Sequence, residues 1–182
     1  MIRSGLFMAI VCLSLNTLSA QCLSGDCQNG PSKYQFRNGA IYEGEMSYGK
    51  IDGLGTLIFA NGDVYRGYWK MNKREGEGIL NAIDGLSYQG TFANNLLNGT
   101  ARVYDTIGGY FEGTWDKGIN NAGGIYVQAG GQKTKGYWTS KGFSAQKEVL
   151  TGDDKEYLAD CNLVPCGSGK GRMVFEDGSV YT

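Results

Sequence analysis

Histidine is absent from the 182 residues, and proline occurs twice. Without an imidazole, Ser-His-Asp and Cys-His nucleophile arrangements cannot be assembled, and histidine-containing metal sites fall with them. An excess of charge of one sign is also lacking: 17 Lys and Arg stand against 18 Asp and Glu, a net charge of −1. Removing residues 1–20 takes Arg3 away and leaves 16 against 18, or −2. Such a balance offers neither a polybasic membrane patch nor a nucleic-acid footprint. The one sustained apolar run is Leu6 to Leu15, with Arg3 before it and Ser19 and Ala20 after it. It is too short to span a bilayer comfortably, and its layout is that of a secretory signal peptide over residues 1–20, cleaved after Ser19 or Ala20. The expected location is therefore secreted, periplasmic or cell-envelope. A lipid anchor at Cys22 would need a small residue before it, and Gln21 stands there, which makes it the weaker alternative.

Glycine, by contrast, is abundant, and its 30 residues are placed in register. Tyr42, Tyr65, Tyr88 and Phe111 recur every 23 residues, each followed two positions later by Gly44, Gly67, Gly90 or Gly113. One further step loses the aromatic at Thr134 but keeps Gly136. A second set is Gly53, Gly76 and Gly99, joined by Gly55 and Gly78, and a third is Gly62, Gly85, Gly108 and Gly131. A fixed internal period decides the architecture before any other feature.

Between the glycines the side chains alternate with the two-residue period of a strand whose faces differ. Tyr42, Gly44 and Met46 share one face, and Gly53, Gly55, Leu57 and Phe59 share a face of the next strand. The position of Leu57 is refilled by Leu80, Val103 and Tyr126. Two short strands between turn-rich segments read as a β-hairpin, and a lone hairpin is marginal in water, so the units must stack. The chain is therefore expected to be all-β. Glycine at turns explains Gly62 and Gly85. It does not explain Gly44, Gly67 and Gly90, which sit inside strand pattern where glycine normally weakens a sheet. There an aromatic ring is expected to lie over the bare backbone.

Tyr-x-Gly-x-(Trp/Phe/Met), about six residues, then Gly-x-Gly and a later glycine before the next tyrosine resembles the MORN repeat (membrane occupation and recognition nexus). The resemblance covers residues 42 to 138, and the half units "CQNGPSKYQFRNGAIY" (27 to 42) and "CGSGKGRMVFEDGSVY" (166 to 181) extend it. It implies an elongated, single-layer antiparallel sheet of stacked hairpins, an open solenoid with aromatics along a groove. The expected organisation is a signal peptide (1–20), a Cys-headed N-terminal cap with a half repeat (21–41), the repeat array (42–141), a degenerate repeat or joint (142–160), and a second Cys-headed half repeat (161–182). The sequence stops at Thr182, one position before the glycine of another Tyr-x-Gly, so truncation or edge pairing with another chain is expected there.

Cys12 leaves with the signal peptide, and Cys22, Cys27, Cys161 and Cys166 remain. An even count in an exported chain favours disulfides over metal. Of three connectivities, Cys22 with Cys27 and Cys161 with Cys166 is preferred, because six units at roughly 10 Å each would hold the two ends about 60 Å apart.

Other motifs carry less. Glu75 with Glu77, or Asp153 with Asp154, has the composition of a paired-carboxylate hydrolase but reads as solvated turn or loop. "GSGKG" (167 to 171) lacks the first glycine and the Ser or Thr of a phosphate loop. Asn98 in "NGT" is a glycosylation acceptor in a eukaryotic source and otherwise reads as a turn in the third unit, and Asp63 and Asp84 lack the rest of a calcium ligand set. The remaining candidate is a binding groove made of Tyr42, Tyr65, Trp69, Tyr88, Phe111, Trp115 and Trp138. The expected function is an exported, non-catalytic binding or scaffold protein without cofactor, serving a protein or peptide partner. A glycan is a weaker ligand option. Edge-to-edge homo-oligomers are plausible, whereas nucleic acid and membrane are not supported by charge. The alternative is an accessory module of a larger enzyme or a phospholipid-associated protein.

Overall fold

The structure, a computed structural model, describes residues 19–146 and the strand residues 173–174 and 180–181. Most of the expected signal peptide, most of the expected joint, and the Cys161–Cys166 pair lie outside the described residues. Twelve strands follow in chain order: β1 (Gln21–Ser24), β2 (Gly30–Gln35), β3 (Ile41–Ser47), β4 (Lys50–Ile58), β5 (Val64–Lys70), β6 (Lys73–Asn81), β7 (Ser87–Ala93), β8 (Leu96–Tyr104), β9 (Tyr110–Trp115), β10 (Gly124–Val127), β11 (Lys133–Thr139) and β12 (Gly142–Ser144). They form one open antiparallel sheet in which spatial order equals sequence order. A separate pair, β13 (Met173–Val174) and β14 (Val180–Tyr181), is also antiparallel. Among the described residues there is no helix.

Each unit is a hairpin, β3–β4, β5–β6 and β7–β8, closed by a two-residue turn. Both turn residues have positive φ: Tyr48 and Gly49 (49° and 71°), Met71 and Asn72 (50° and 67°), Asn94 and Asn95 (49° and 73°), Lys117 and Gly118 (48° and 80°). This is the turn whose twist matches that of paired strands. The second turn residue also holds the stack together. Its amide donates to a carbonyl of the preceding unit: Gly49 to Gln28 (2.9 Å), Asn72 to Ile51 (2.8 Å), Asn95 to Arg74 (3.1 Å) and Gly118 to Leu97 (2.8 Å). Where that residue is asparagine, its buried side-chain oxygen accepts the amide of the same partner, Ile51 (2.7 Å) or Arg74 (2.8 Å). Asn72→Ala therefore loses a buried hydrogen bond and strains the turn, a cost of about 1–2 kcal/mol. Asn72→Gly, which reproduces Gly49 and Gly118, is expected to cost visibly less in urea denaturation. Equal losses in the two variants would show that the turn's backbone geometry is not limiting.

At the opposite end of each unit the chain turns through Gly39, Gly62, Gly85, Gly108 and Gly131, as the third glycine set predicts. These turns are linked too: fully buried Asp63 accepts the Ile83 amide of the next turn (2.8 Å) and the Asn61 side-chain amide (2.9 Å).

The sheet is not flat. Within β3–β4, Gly44 pairs with Gly55 but Met46 pairs with Ile51, so one residue on β3, Glu45, faces three on β4, Asp52 to Leu54. The same bulge recurs in β5–β6 and β7–β8, and Gly53, Gly76 and Gly99 occupy it with positive φ. Bulges bend the strand that carries them and increase its twist. Here they carry the hairpin tip over the inner face, so that Ile51, Arg74 and Leu97 are buried (1%, 2% and 8% exposed). The fourth unit departs from the rule. Its second strand shrinks to β10, and buried Asn120, at the position of Leu97, spans the gap by donating to Thr114 O (2.9 Å) and Gly123 O (3.2 Å).

Candidate functional site

The aromatic row lies on the inner face. Its tyrosines cross bare backbone: Tyr65 covers Gly67 and Gly78, and Tyr42 covers Gly44 and Gly55, so that an added methyl at Gly55 would stand 2.5 Å from a Tyr42 ring carbon. Phe111 does the same over Gly113 and Gly124. The phenol ends are tied to backbone three residues on, Tyr42 to Glu45 O (2.8 Å) and Tyr65 to Tyr68 O (3.2 Å). Ring meets ring from one unit to the next, edge to face: Tyr42 with Trp69 (6.0 Å) and Tyr65 with Phe92 (5.1 Å). Phe111 meets Trp138 of the following unit at 5.9 Å, tilted.

The groove expected from this row is filled. Tyr42, Tyr65 and Phe111 are 0% exposed, Trp69, Trp115 and Tyr88 are buried, and only Trp138 keeps partial access. Rings on a flat single sheet would keep one face in water. The bulged tips close that face, and the residues nominated as a binding groove form the core instead. Burial pushes the phenol pKa of Tyr42, Tyr65 and Tyr88 well above the ordinary value. At Tyr42 the charges of Glu45 and Asp52 add to this, and at Tyr65 the Arg74 guanidinium opposes it. That guanidinium lies over the rings of Tyr65 (5.5 Å) and Phe92 (5.2 Å), and its Nη2 donates to Asn95 O. Arg74 takes the place of Ile51 and Leu97, and its burial between rings is not apparent from its charged neighbours Lys73 and Glu75.

Cys22 and Cys27 are bonded (S–S 2.08 Å), closing the loop between β1 and β2. Of the imagined acid–base pair, Glu77 accepts from the Thr91 hydroxyl (2.7 Å) and Glu75 from the Asn94 amide (3.0 Å), both at the surface. Among the described residues no cluster of three metal-ligating side chains occurs.

With the inner face closed, the outer face and the turns are the exposed surfaces of the described residues. Exposed apolar side chains gather on the outer face of β4–β6: Leu54 (54%), Tyr68 (53%), Ile58 and Ile79. Leu54 stands directly opposite Tyr68, and Arg66 opposite both Thr56 and Ile79. The outer face of β7 is polar by comparison, with Ser87, Gln89 and Thr91. Recurrence of residue type does not mark these residues. The signal lies in positions of the 23-residue register whose residue changes, where Leu54 corresponds to Glu77 and Thr100, and Tyr68 to Glu45, Thr91 and Thr114.

No curated protein matches the chain. Among solved structures, one similar chain is the wild-type TCP10 domain of Danio rerio CPAP, determined in complex with a peptide of Danio rerio STIL. It is 16% identical, with 65% of this chain and 70% of that chain covered and a TM-score of 0.20. The family model for the MORN repeat matches residues 42–64, 65–86, 88–108 and 168–180. The first two matches begin at Tyr42 and Tyr65, whose rings cover bare backbone, the third begins at Tyr88, and the fourth falls on the half unit at 166 to 181. The chain carries MORN repeats over these four stretches.

Proposed function

We propose that this protein is an exported, non-catalytic binding or scaffold module that holds a protein or peptide partner at the cell envelope or outside the cell. The observation that carries the reading is the apolar strip on the outer face of β4–β6, exposed while the aromatic row of the inner face is buried. Exposed apolar patches on a rigid scaffold mark interaction surfaces. Its cap closed by a disulfide, Cys22–Cys27, supports an oxidising compartment. The leader over residues 1–20 supports export.

A second reading, association with membranes, is favoured by one edge of the sheet. The turns lift Tyr48 (87% exposed) and Met71 (51% exposed) clear of the surface, with Lys50, Lys70 and Lys73 beside them. Apolar tips flanked by lysine suit an anionic lipid interface. Against it stands the even balance of charge over the chain. The purified mature chain is to be tested against envelope extracts, a glycan array, and vesicles with and without anionic lipid. Capture of a defined envelope protein, with no saturable vesicle binding at physiological salt, is the expected result. Saturable vesicle binding under those conditions would overturn it in favour of the second reading. Mass spectrometry of the secreted chain is expected to give an N-terminus at Ala20 or Gln21.

A further inference from the structure

The outer face breaks its own repeat at one place. Positions 45, 68, 91 and 114 hold Glu45, Tyr68, Thr91 and Thr114, and positions 54, 77, 100 and 123 hold Leu54, Glu77, Thr100 and Gly123. The two apolar exceptions are direct cross-strand partners, each about half exposed. Carboxylates stand on both sides of them. On the β3 side, Glu45 packs over the bulge, its Cβ 2.7 Å from where a Cβ on Gly53 would stand, one residue before Leu54. On the β6 side, the Cβ of Tyr68 faces Gly76 at 3.5 Å by the same measure, and Gly76 lies between Glu75 and Glu77.

Of the surrounding cations, Lys70 is paired with Asp52 (3.3 Å), whereas Lys73 and Arg66 donate to neutral acceptors, Asn94 Oδ1 (3.1 Å) and Thr56 Oγ1 (3.4 Å), and keep their charge beside the three carboxylates. Glu75 and Glu77 accept from neutral donors, the Asn94 amide and the Thr91 hydroxyl, so those contacts leave their charge in place.

We propose that the Leu54–Tyr68 pair seats an extended, basic peptide segment laid across the strands. This rests on the binding-module reading above and names the partner's chemistry. Neighbouring strands lie about 4.8 Å apart, so the distance from β3 to β6 is about 14 Å. An extended chain rising about 3.3 Å per residue covers it in about four residues. The segment therefore carries Lys or Arg at i and i+4, reaching Glu45 and Glu75 or Glu77, and an apolar side chain at i+2 resting on Leu54 and the Tyr68 ring. All three point to the same side, as the two-residue period of a strand requires. A second copy of this chain is the poorer occupant of the strip, because it would bring the same carboxylates against these.

The test uses the full mature chain and fluorescent nonapeptides with two lysines four apart, a leucine midway, and serine or threonine elsewhere. Saturable binding that weakens with salt is expected, with at least a tenfold loss of affinity in the double variant Leu54→Thr, Tyr68→Thr. That variant installs residues the repeat already uses at Thr100 and Thr91, and its melting curve checks that the sheet persists. Glu77→Thr, the residue at Thr100, is expected to weaken the lysine peptide but not one with the lysines replaced by serine. Equal binding of a glutamate-substituted peptide, or binding unchanged in the double variant, overturns the proposal. Concentration-dependent dimerisation abolished by the double variant overturns it in favour of self-association. If an envelope protein still binds the double variant as tightly as the wild type, this site is wrong while the binding-module reading stands. If the wild type binds no protein or peptide at all, both fall.

Discussion

Replacing Gly67 with valine is expected to cost at least ~3 kcal/mol, at or beyond the upper end of ordinary overpacking, and to strip the thermal transition of its cooperativity. A Cβ at Gly67 would stand 2.5 Å from the Tyr65 hydroxyl, 2.6 Å from the Cα of Gly78 and 2.7 Å from the Glu77 carbonyl oxygen. The hydroxyl can swing away. The other two are backbone atoms of the paired strand and can move only if β5 and β6 separate. Because Gly67 pairs directly with Gly78, the strain falls on the ladder at the centre of the array. Gly90→Val meets the same obstacle at the Thr100 carbonyl oxygen (2.8 Å) and the Ala101 backbone. The control is Gly130→Val, where nothing lies within 4 Å of the new Cβ and melting should be unchanged. Far-ultraviolet circular dichroism against temperature decides it. A Gly67→Val chain that melts with the wild type would refute the ring-over-backbone account of the fold.

The second large effect is alkaline unfolding driven by three tyrosines. Burial is the main cause that raises the phenol pKa of Tyr42, Tyr65 and Tyr88 in the folded chain. A folded pKa above the unfolded one means stability that is fully present below the unfolded value, about 10, and lost as pH rises from there through the folded value. Phenolate absorbance from these three rings should therefore appear together with loss of the sheet signal. Tyr65→Phe removes one such group and should move the alkaline midpoint upward. At neutral pH it costs about 1 kcal/mol for the lost bond to Tyr68 O. Phe111, in the same position of the fourth unit, shows that the ring without its hydroxyl fits. If all tyrosines ionise while the sheet is intact, the row is open to water.

The stacked hairpins and the rings of Tyr42 and Tyr65 over Gly44 and Gly67 could be read from the sequence, because period 23 and period two are both written in side-chain types, whereas at Gly90 the neighbour is Ala101 rather than a ring. The closure of the row could not. The bulge at Gly53 adds two residues to β4, and an insertion of two leaves the alternation of faces unchanged, so Ile51 and Leu57 still appear in phase. Two of the tight turns were hidden for a different reason: Met71 and Asn94 open them with positive φ but carry no glycine signal. The outer-face pair Leu54 and Tyr68 went unseen because it violates the repeat, and a search for recurrence passes over what does not recur.

The tip amides give the array a polarity. Gly49, Asn72, Asn95 and Gly118 all reach back toward the N-terminal side for their acceptor, to Gln28, Ile51, Arg74 and Leu97. A newly made unit thus finds its docking carbonyl already in place, and the ladder can zip up in the order of synthesis, starting from the disulfide-closed loop. Trimming units from the C-terminal end leaves each survivor its foothold, whereas removing the first two strands leaves the Gly49 amide reaching for a carbonyl that is no longer there.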